Sequence, residues 1–131
     1  MVEDSIFTKI INGELPSHKV YEDDFTFALI PLHPIALGHV LVFPKKQVVQ
    51  FFQLEDVDYI ALMETVKKVA NRMYEVIEPF RVGVKIEGLD VPHTHVHVIA
   101  FDNHEQFNET ENTNVPVDQN KLKELAQKLA F

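Results

Sequence analysis

The chain has 131 residues, of which 46% are hydrophobic, and it carries a formal net charge of -8 at pH 7. This length and composition predict one globular domain over residues 1–131. The acidic charge argues against a surface for nucleic acid or an anionic membrane, because both need clustered lysine and arginine. The chain has no cysteine, which excludes disulfides, thiolate nucleophiles and cysteine-ligated zinc.

The sequence also bears on where the protein works. No apolar run approaches the roughly 20 residues needed to span a bilayer. The segment Met1-Val2-Glu3-Asp4 lacks the basic and apolar regions of a secretory signal, and a chain without cysteine is compatible with a reducing compartment. We therefore expect a cytoplasmic protein whose partner is a small molecule, with neither nucleic acid nor a membrane as its ligand.

The first half of the chain is predicted to form a short helix and three strands. Ser5–Ile11 has apolar pairs at i, i+4 and ends at Asn12-Gly13, which is typical of a helix. Strands rich in β-branched and aromatic residues are predicted around Lys19–Tyr21, over Phe25–Ile30 and over His39–Phe43. Pro44 should end the third strand, because proline donates no ladder hydrogen bond.

The second half is predicted to form a long helix, an antiparallel strand pair and a final helix. Apolar residues recur every three or four positions over Leu54–Ile77, which favours a helix. Val82–Ile86 alternates as a strand, and the short turn Glu87–Asp90 joins it to a strand that contains three histidines. The polar segment Asp102–Asn120 is predicted to be a loop, and Gln119–Leu129 a helix with leucines on one side.

The most informative stretch is His93–Val98, which reads His-Thr-His-Val-His-Val. Because side chains alternate on a strand, His93, His95 and His97 are predicted to share one face, while the residues between them point to the core. A neutral imidazole is nucleophilic near neutral pH and needs no metal for this. The histidine face is therefore the candidate reactive surface.

The chain resembles the histidine triad family, and in particular its compact branch of nucleoside phosphoramidate and dinucleoside polyphosphate hydrolases. The similarity covers nearly the whole chain up to Phe101 and is carried by four stretches. They are Ile6–Ile11 with Gly13-Glu14-Leu15-Pro16, Tyr21–Asp24, Pro34 with Gly38–Lys45, and the triad itself.

This resemblance implies an α+β fold, with a five-stranded antiparallel sheet, one long helix packed on it, and short N-terminal and C-terminal helices. It implies a single domain with its core in residues 4–101, followed by a loop and the C-terminal helix in residues 102–131. It also implies a homodimer, joined through the long helix and a strand of the neighbouring subunit.

The resemblance also implies an activity. In the family the middle histidine attacks the α-phosphorus of a nucleotide conjugate and forms a transient nucleotidyl-histidine, so His95 is the expected nucleophile. His97 is expected near the phosphate and the leaving group, while His93 and His39 match supporting histidines. We expect hydrolysis or nucleotidyl transfer on phosphoramidates or dinucleoside polyphosphates, with no cofactor. The apolar residues that match positions around the base are Ile6, Ile10, Leu29, Leu32 and Leu41.

Ordinary core is the alternative interpretation of these apolar residues, above all for Ile10 and Leu41. A histidine-ligated metal site is an alternative for the triad, since His-x-His with a third histidine is a known zinc arrangement. Side chains at i and i+4 of one strand, however, are roughly 13 Å apart. Some family members bind structural zinc through Cys-x-x-Cys and a histidine. The matching positions here are Ser5, Thr8 and Gln47, so we expect no metal.

A further alternative is a nucleotide-binding module with weak or lost turnover. Pro31 stands where the family has an aspartate for the ribose hydroxyls. The family counterpart of the loop Glu87–Pro92 carries an asparagine and a Gly-Gln-Ser/Thr segment that contacts the phosphate and leaving group. The loop here is several residues shorter, and Ile86 stands at the position that matches the asparagine. Glu87 and Asp90 are either solvated turn residues or groups that repel a phosphate or favour a cationic leaving group such as a lysine-like amine.

Overall fold

The computed structural model describes residues 3–131, which form five strands, four α-helices and a short 3-10 turn. The helices are α1 (Ile6–Ile11), α2 (Asp56–Ile77), α3 (His104–Asn108) and α4 (Gln119–Leu129). The strands are β1 (His18–Glu22), β2 (Thr26–Ile30), β3 (His39–Pro44), β4 (Arg81–Lys85) and β5 (Val96–Phe101), and the 3-10 turn covers Phe51–Gln53. Met1 and Val2, on which part of the expectation about a secretory signal depends, lie outside the described residues.

The five strands form one antiparallel sheet in the order β1-β2-β3-β5-β4. The β1–β2 turn is closed by Asp23, whose carboxylate accepts hydrogen bonds from the backbone N–H groups of Phe25 and Thr26. The α+β class and the antiparallel pairing of β4 with β5 are confirmed. In the described part of the chain, no helix has the length and apolar character needed to cross a membrane.

Each face of the sheet carries its own apolar cluster. The larger cluster lies between the sheet and α2 with α4, and it contains Val40 and Val42 of β3. The smaller cluster, which we call the α1-side cluster, lies on the opposite face and consists of Phe7, Phe27, Leu29, Leu41 and Phe43. Alternation along β3 separates the two sets. Burying each such large side chain stabilises the fold by about 1.5–3 kcal/mol.

The loop predicted for Asp102–Asn120 is partly wrong, because α3 lies within it. Asn103 caps this helix by accepting a hydrogen bond from the backbone N–H of Gln106 at 3.0 Å. Phe107 packs on Phe101 with ring centroids 4.7 Å apart. A helix this short depends on that tertiary contact.

Other element boundaries differ from the prediction by one or two residues. Pro44 is the last residue of β3 and pairs with Thr26. The helix predicted from Leu54 begins at Asp56, because the 3-10 turn precedes it. The strand predicted over Val82–Ile86 is β4, one residue earlier at each end.

Candidate active site

Adjacent strands bring together two histidines that are far apart in sequence. The register of β3 with β5 pairs His39 with Ile99 and Leu41 with His97. Both imidazoles therefore project from the face that carries the α1-side cluster. Their ring centroids are 5.2 Å apart.

The three triad histidines lie close to one another but not on one strand. β5 begins at Val96, so only His97 belongs to it, and His93 and His95 lie in the segment before it. Phe7 packs edge-on against the rings of His93 and His95, with centroids 5.6 and 5.1 Å away. The centroids of His95 and His97 are 5.3 Å apart. The rings share one side of the sheet, whereas the prediction that they share one strand is wrong.

Pro44 explains why the strand begins late. The pairing of β3 with β5 ends at Val42 and Val96. Two residues further on, the same register would place Thr94 opposite Pro44, which has no N–H. Thr94 instead bonds to the carbonyl oxygen of Val48, with its backbone N–H and its hydroxyl each at 2.7 Å. This diverts the chain at residues 93–95 from the sheet ladder.

A chain of hydrogen bonds sets the tautomer of His97. The backbone N–H of Ile35 donates to His39 Nδ1 at 3.0 Å, so the neutral His39 ring carries its proton on Nε2. His39 Nε2 lies 3.0 Å from His97 Nδ1 and donates to it. The neutral His97 ring therefore holds its own proton on Nε2, the nitrogen turned away from His39.

His93 is fully buried and both its ring nitrogens are occupied. Nε2 lies 2.7 Å from the carbonyl oxygen of Pro44, which can only accept, so Nε2 is the donor. Nδ1 lies 2.7 Å from the hydroxyl oxygen of Ser5. His93 therefore has no ring nitrogen free for a substrate, and this is consistent with a structural role in the site.

His95 is oriented by the backbone of His93. Its Nδ1 lies 2.8 Å from the carbonyl oxygen of His93 and donates to it. In the neutral ring this leaves the lone pair on Nε2. The His95 side chain is only 7% exposed, so its ring is held by packing and by this hydrogen bond, as a nucleophile needs to be.

Burial keeps the surrounding histidines neutral. Desolvation, followed by the repulsion of His97 and Lys85, lowers the pKa of His39 to about 3. Desolvation, followed by repulsion from His95 and Lys85, lowers the pKa of His97 to about 4. Burial also lowers the pKa of His93, against the opposing effect of its bond to Pro44. At neutral pH the tautomers derived above are the states of these three rings.

The positions that match zinc ligands in some family members form a hydrogen-bonded cluster beside His93. The side-chain oxygen of Gln47 accepts from the Ser5 backbone N–H at 2.8 Å and from the Thr8 hydroxyl at 2.7 Å. The Ser5 hydroxyl oxygen caps α1 by accepting from the Thr8 N–H at 3.0 Å. Hydroxyl and carboxamide groups are not the nitrogen and sulfur donors that zinc prefers.

The apolar residues expected around a base are not all in one place. Leu29 and Leu41 are buried in the α1-side cluster, and Ile10 packs against it partly buried. Ile6 and Leu32 are more than half exposed, at 53% and 55%. Pro31 is buried directly after β2. A base cleft would therefore have a buried floor at Leu29 and Leu41, with Ile6 and Leu32 free to contact a ligand.

Glu111 is a residue of the site that sequence reasoning missed. One oxygen of its carboxylate lies within 4.8 Å of a ring nitrogen of His39 and of one of His97. Desolvation raises its pKa, and the charges of His33, Asp90, His95 and Glu87 also act on it. The predicted loop that contains Glu111 thus folds back over the histidines. Its acidic character and its distance of 14 residues from His97 in sequence gave no signal of this.

Within the described residues, His39, His97 and Glu111 form a group that could be considered for a metal ion. The hydrogen bonds argue against it. His39 would have to coordinate through Nε2, yet Nδ1 already accepts from the Ile35 N–H, so the neutral ring carries its proton on Nε2. Metal binding there would require loss of that bond or an anionic imidazole.

The sheet, the buried histidine pair and the oriented His95 define an α+β protein with a histidine-based site. The family model of the HIT domain matches residues 12–104. A HIT-like protein of Borreliella burgdorferi is 33% identical over 135 residues, covering 98% of this chain and 97% of that protein. The chain therefore belongs to the histidine triad (HIT) family.

Two further comparisons agree with this assignment. The adenosine 5'-monophosphoramidase of Saccharomyces cerevisiae is 33% identical over 98 residues, covering 72% of this chain and 60% of that enzyme. The crystal structure of a HIT-like protein from Bartonella henselae superposes with a TM-score of 0.85 at 27% identity, covering 98% of this chain and 96% of that one.

Proposed function

We propose that this protein hydrolyses nucleotide conjugates at the α-phosphate, with nucleoside phosphoramidates as the preferred class and dinucleoside polyphosphates as the second. The observation that carries the proposal is the bond from His95 Nδ1 to the carbonyl oxygen of His93 at 2.8 Å, which directs a free lone pair to His95 Nε2. The similarity to a yeast adenosine 5'-monophosphoramidase supports the same substrate class.

In the proposed first step, His95 Nε2 attacks the α-phosphorus and the bond from phosphorus to the leaving group breaks. His97 Nε2–H donates a hydrogen bond to a non-bridging oxygen and stabilises the charge that develops there. The leaving amine or phosphate takes up its proton from solvent, because the neutral His97 keeps Nδ1 as the acceptor of the His39 bond and holds its one proton on Nε2.

In the second step a water molecule attacks the phosphorus of the nucleotidyl-His95. The bond between phosphorus and His95 Nε2 breaks, the proton of this water passes to solvent, and His97 Nε2–H again donates to a non-bridging oxygen. The products are a nucleoside monophosphate and the regenerated site. His39 contributes to both steps by holding Nδ1 of His97 as an acceptor.

A binding module without turnover is the second candidate, and two observations favour it. Pro31 offers no carboxylate to the ribose hydroxyls, and it is buried. The carboxylate of Glu111 lies within 4.8 Å of His39 and His97, where it opposes an anionic phosphate. Such a module would hold the base of a nucleotide against the α1-side cluster and would release no product.

We further propose a homodimer that covers apolar side chains on the outer side of α2 and the open edge of β4. Val57, Ile60 and Tyr74 of α2 are exposed, as is Val84 of β4. β4 is an edge strand of the sheet and presents unpaired backbone groups that a second chain could bond. A cysteine-free chain is compatible with the reducing cytoplasm that we propose as its compartment.

The test is hydrolysis of adenosine 5'-phosphoramidate by wild type and by His95→Asn. Asparagine can still donate to the carbonyl oxygen of His93, but it removes the nucleophile. We expect a rate loss of at least about a thousandfold with an unchanged circular dichroism spectrum. The matched control is His104→Asn, because His104 is exposed at the start of α3. Wild-type turnover by His95→Asn would reject the mechanism, and nucleotide binding by a wild type without turnover would favour the binding module.

A further inference from the structure

The start of α1 contacts the triad through two side chains. The hydroxyl oxygen of Ser5 lies 2.7 Å from His93 Nδ1, and Ser5 is only 5% exposed. Phe7, two residues later, packs edge-on against His93 and His95 and stacks on Phe43 at 4.3 Å. Helix α1 therefore acts on the triad by a buried hydrogen bond as well as by packing.

The partners determine which atom donates at each point of this network. His93 Nε2 donates to the carbonyl oxygen of Pro44, so in the neutral ring Nδ1 is the acceptor. The single hydroxyl proton of Ser5 is then directed to His93 Nδ1. The lone pairs of the Ser5 oxygen remain available for the Thr8 N–H, and Gln47 accepts the Thr8 hydroxyl proton. The Ser5 and Thr8 hydroxyl oxygens also lie 3.3 Å apart, and Thr8 Oγ1 lies 3.5 Å from His93 Nδ1. The shorter contacts, from Ser5 to His93 and from Thr8 to Gln47, determine where the two hydroxyl protons point.

The same network fixes the backbone at residue 93. The His93 ring is held at both nitrogens, and its backbone N–H bonds to the carbonyl oxygen of Val91 at 2.8 Å. The carbonyl oxygen of His93, which accepts from His95 Nδ1, is therefore restrained by residue 93 on one side and by the bond from the Thr94 N–H to the carbonyl oxygen of Val48 at 2.7 Å on the other. Ser5 reaches the reacting nitrogen only through His93.

We propose that Ser5 is a positioning residue: its hydroxyl donates to His93 Nδ1 and, together with the carbonyl oxygen of Pro44, holds the ring in the Nε2-protonated tautomer, which fixes the carbonyl oxygen that orients His95. The kinetic part of this inference rests on the proposed function, whereas the tautomer of His93 does not. Thr8 and Gln47 assist by holding the Ser5 oxygen and backbone in place.

Three substitutions at residue 5 separate the hydrogen bond that Ser5 donates to His93 from the helix cap that Ser5 also provides. Ser5→Thr keeps both the hydroxyl donor and the cap. Ser5→Asp keeps a cap acceptor but offers His93 Nδ1 an acceptor instead of a donor. A carboxylate facing Nδ1 stabilises the imidazolium and so raises the pKa of His93. Because Nε2 still donates to Pro44, the ring meets this acceptor by taking up a second proton at Nδ1. Ser5→Ala removes both functions.

The first measurement is the ¹⁵N NMR spectrum of histidine-labelled protein at neutral pH, which distinguishes the two neutral tautomers and the imidazolium. We expect wild type and Ser5→Thr to show the neutral Nε2–H tautomer at His93, and Ser5→Asp to show the imidazolium. The second measurement is adenosine 5'-phosphoramidate hydrolysis. We expect kcat to fall by about tenfold or more in Ser5→Ala and Ser5→Asp with KM within about twofold, and Ser5→Thr to restore kcat.

Unchanged His93 shifts in Ser5→Asp, or a kcat equal to wild type in both Ser5→Asp and Ser5→Ala, would overturn the proposal. A loss of kcat that follows the thermal stability of the variants, with the tautomer unchanged, would also overturn it. If Ser5→Ala does not fold, Ser5→Asp and Ser5→Thr decide the outcome. A wild type without turnover would reject the proposed function. In that case the ¹⁵N shifts of His93 in the Ser5 variants would still test whether Ser5 positions His93.

Discussion

Buried His39 gives the structure a specific dependence of stability on pH. Its ring is 1% exposed, and burial with the charges of His97 and Lys85 lowers its pKa to about 3. In the unfolded chain the same ring titrates near its reference pKa of about 6.5. Between pH 7 and pH 5 the unfolded chain therefore takes up a proton that the folded protein does not. Stability contributed by this ring is complete above pH 6.5 and is lost as the pH falls.

The size of the effect follows from linkage. The unfolded ring goes from about one quarter protonated at pH 7 to about 97% at pH 5, so His39 alone lowers the free energy of unfolding by about 2 kcal/mol. The result does not change for any folded pKa well below 5. His97, with its pKa lowered to about 4, acts in the same direction.

The assay is urea unfolding at pH 7, 6 and 5 for wild type and His39→Asn. The asparagine oxygen can still accept from the Ile35 N–H, but the titrating ring is gone. We expect the slope of unfolding free energy against pH to drop by about 1.2 kcal/mol per unit between pH 6 and pH 5. His104→Asn, at an exposed position, should keep the wild-type slope. Equal slopes for wild type and His39→Asn would refute the reasoning.

Two further predictions concern Glu111 and the homodimer. Removing the charge near His97 with Glu111→Gln should raise kcat/KM for diadenosine polyphosphates by about fivefold, the equivalent of about 1 kcal/mol of like-charge repulsion. Glu109→Gln on the same exposed segment is the control, and equal rates for all three proteins would show that Glu111 does not face the phosphate. Sedimentation velocity should give two chains for wild type and one for Ile60→Glu, with Val115→Glu as the exposed apolar control. A monomeric wild type would contradict the dimer.

Local patterns were sufficient to predict most of the fold. Periodicity located the long helix, the strand pair and the final helix because each buries one regular face. The late start of β5 could not be read from its β-branched residues, since it depends on Pro44 of a different strand. Helix α3 was missed because its polar sequence is stabilised by Phe107 packing on Phe101.

The histidines of the site were predictable from their spacing, but their supporting contacts were not. Ser5 and His93 are 88 positions apart, and Gln47 joins Ser5 across 42 positions. Hydroxyl and amide groups carry no periodic signal, so only the folded chain shows that they meet. The same holds for Glu111, whose position depends on the path of the chain after α3.

The most direct test of the central claim is mass spectrometry of the protein quenched within the first turnovers of adenosine 5'-phosphoramidate. We predict an adenylyl group on the peptide that contains His95, bonded to its Nε2, absent from His95→Asn and retained in His104→Asn. Ammonia should be released at the same rate as the adduct forms, because the bond to the leaving group breaks in that step. Turnover without any protein-bound adenylyl group, or an adduct on a residue other than His95, would contradict the account.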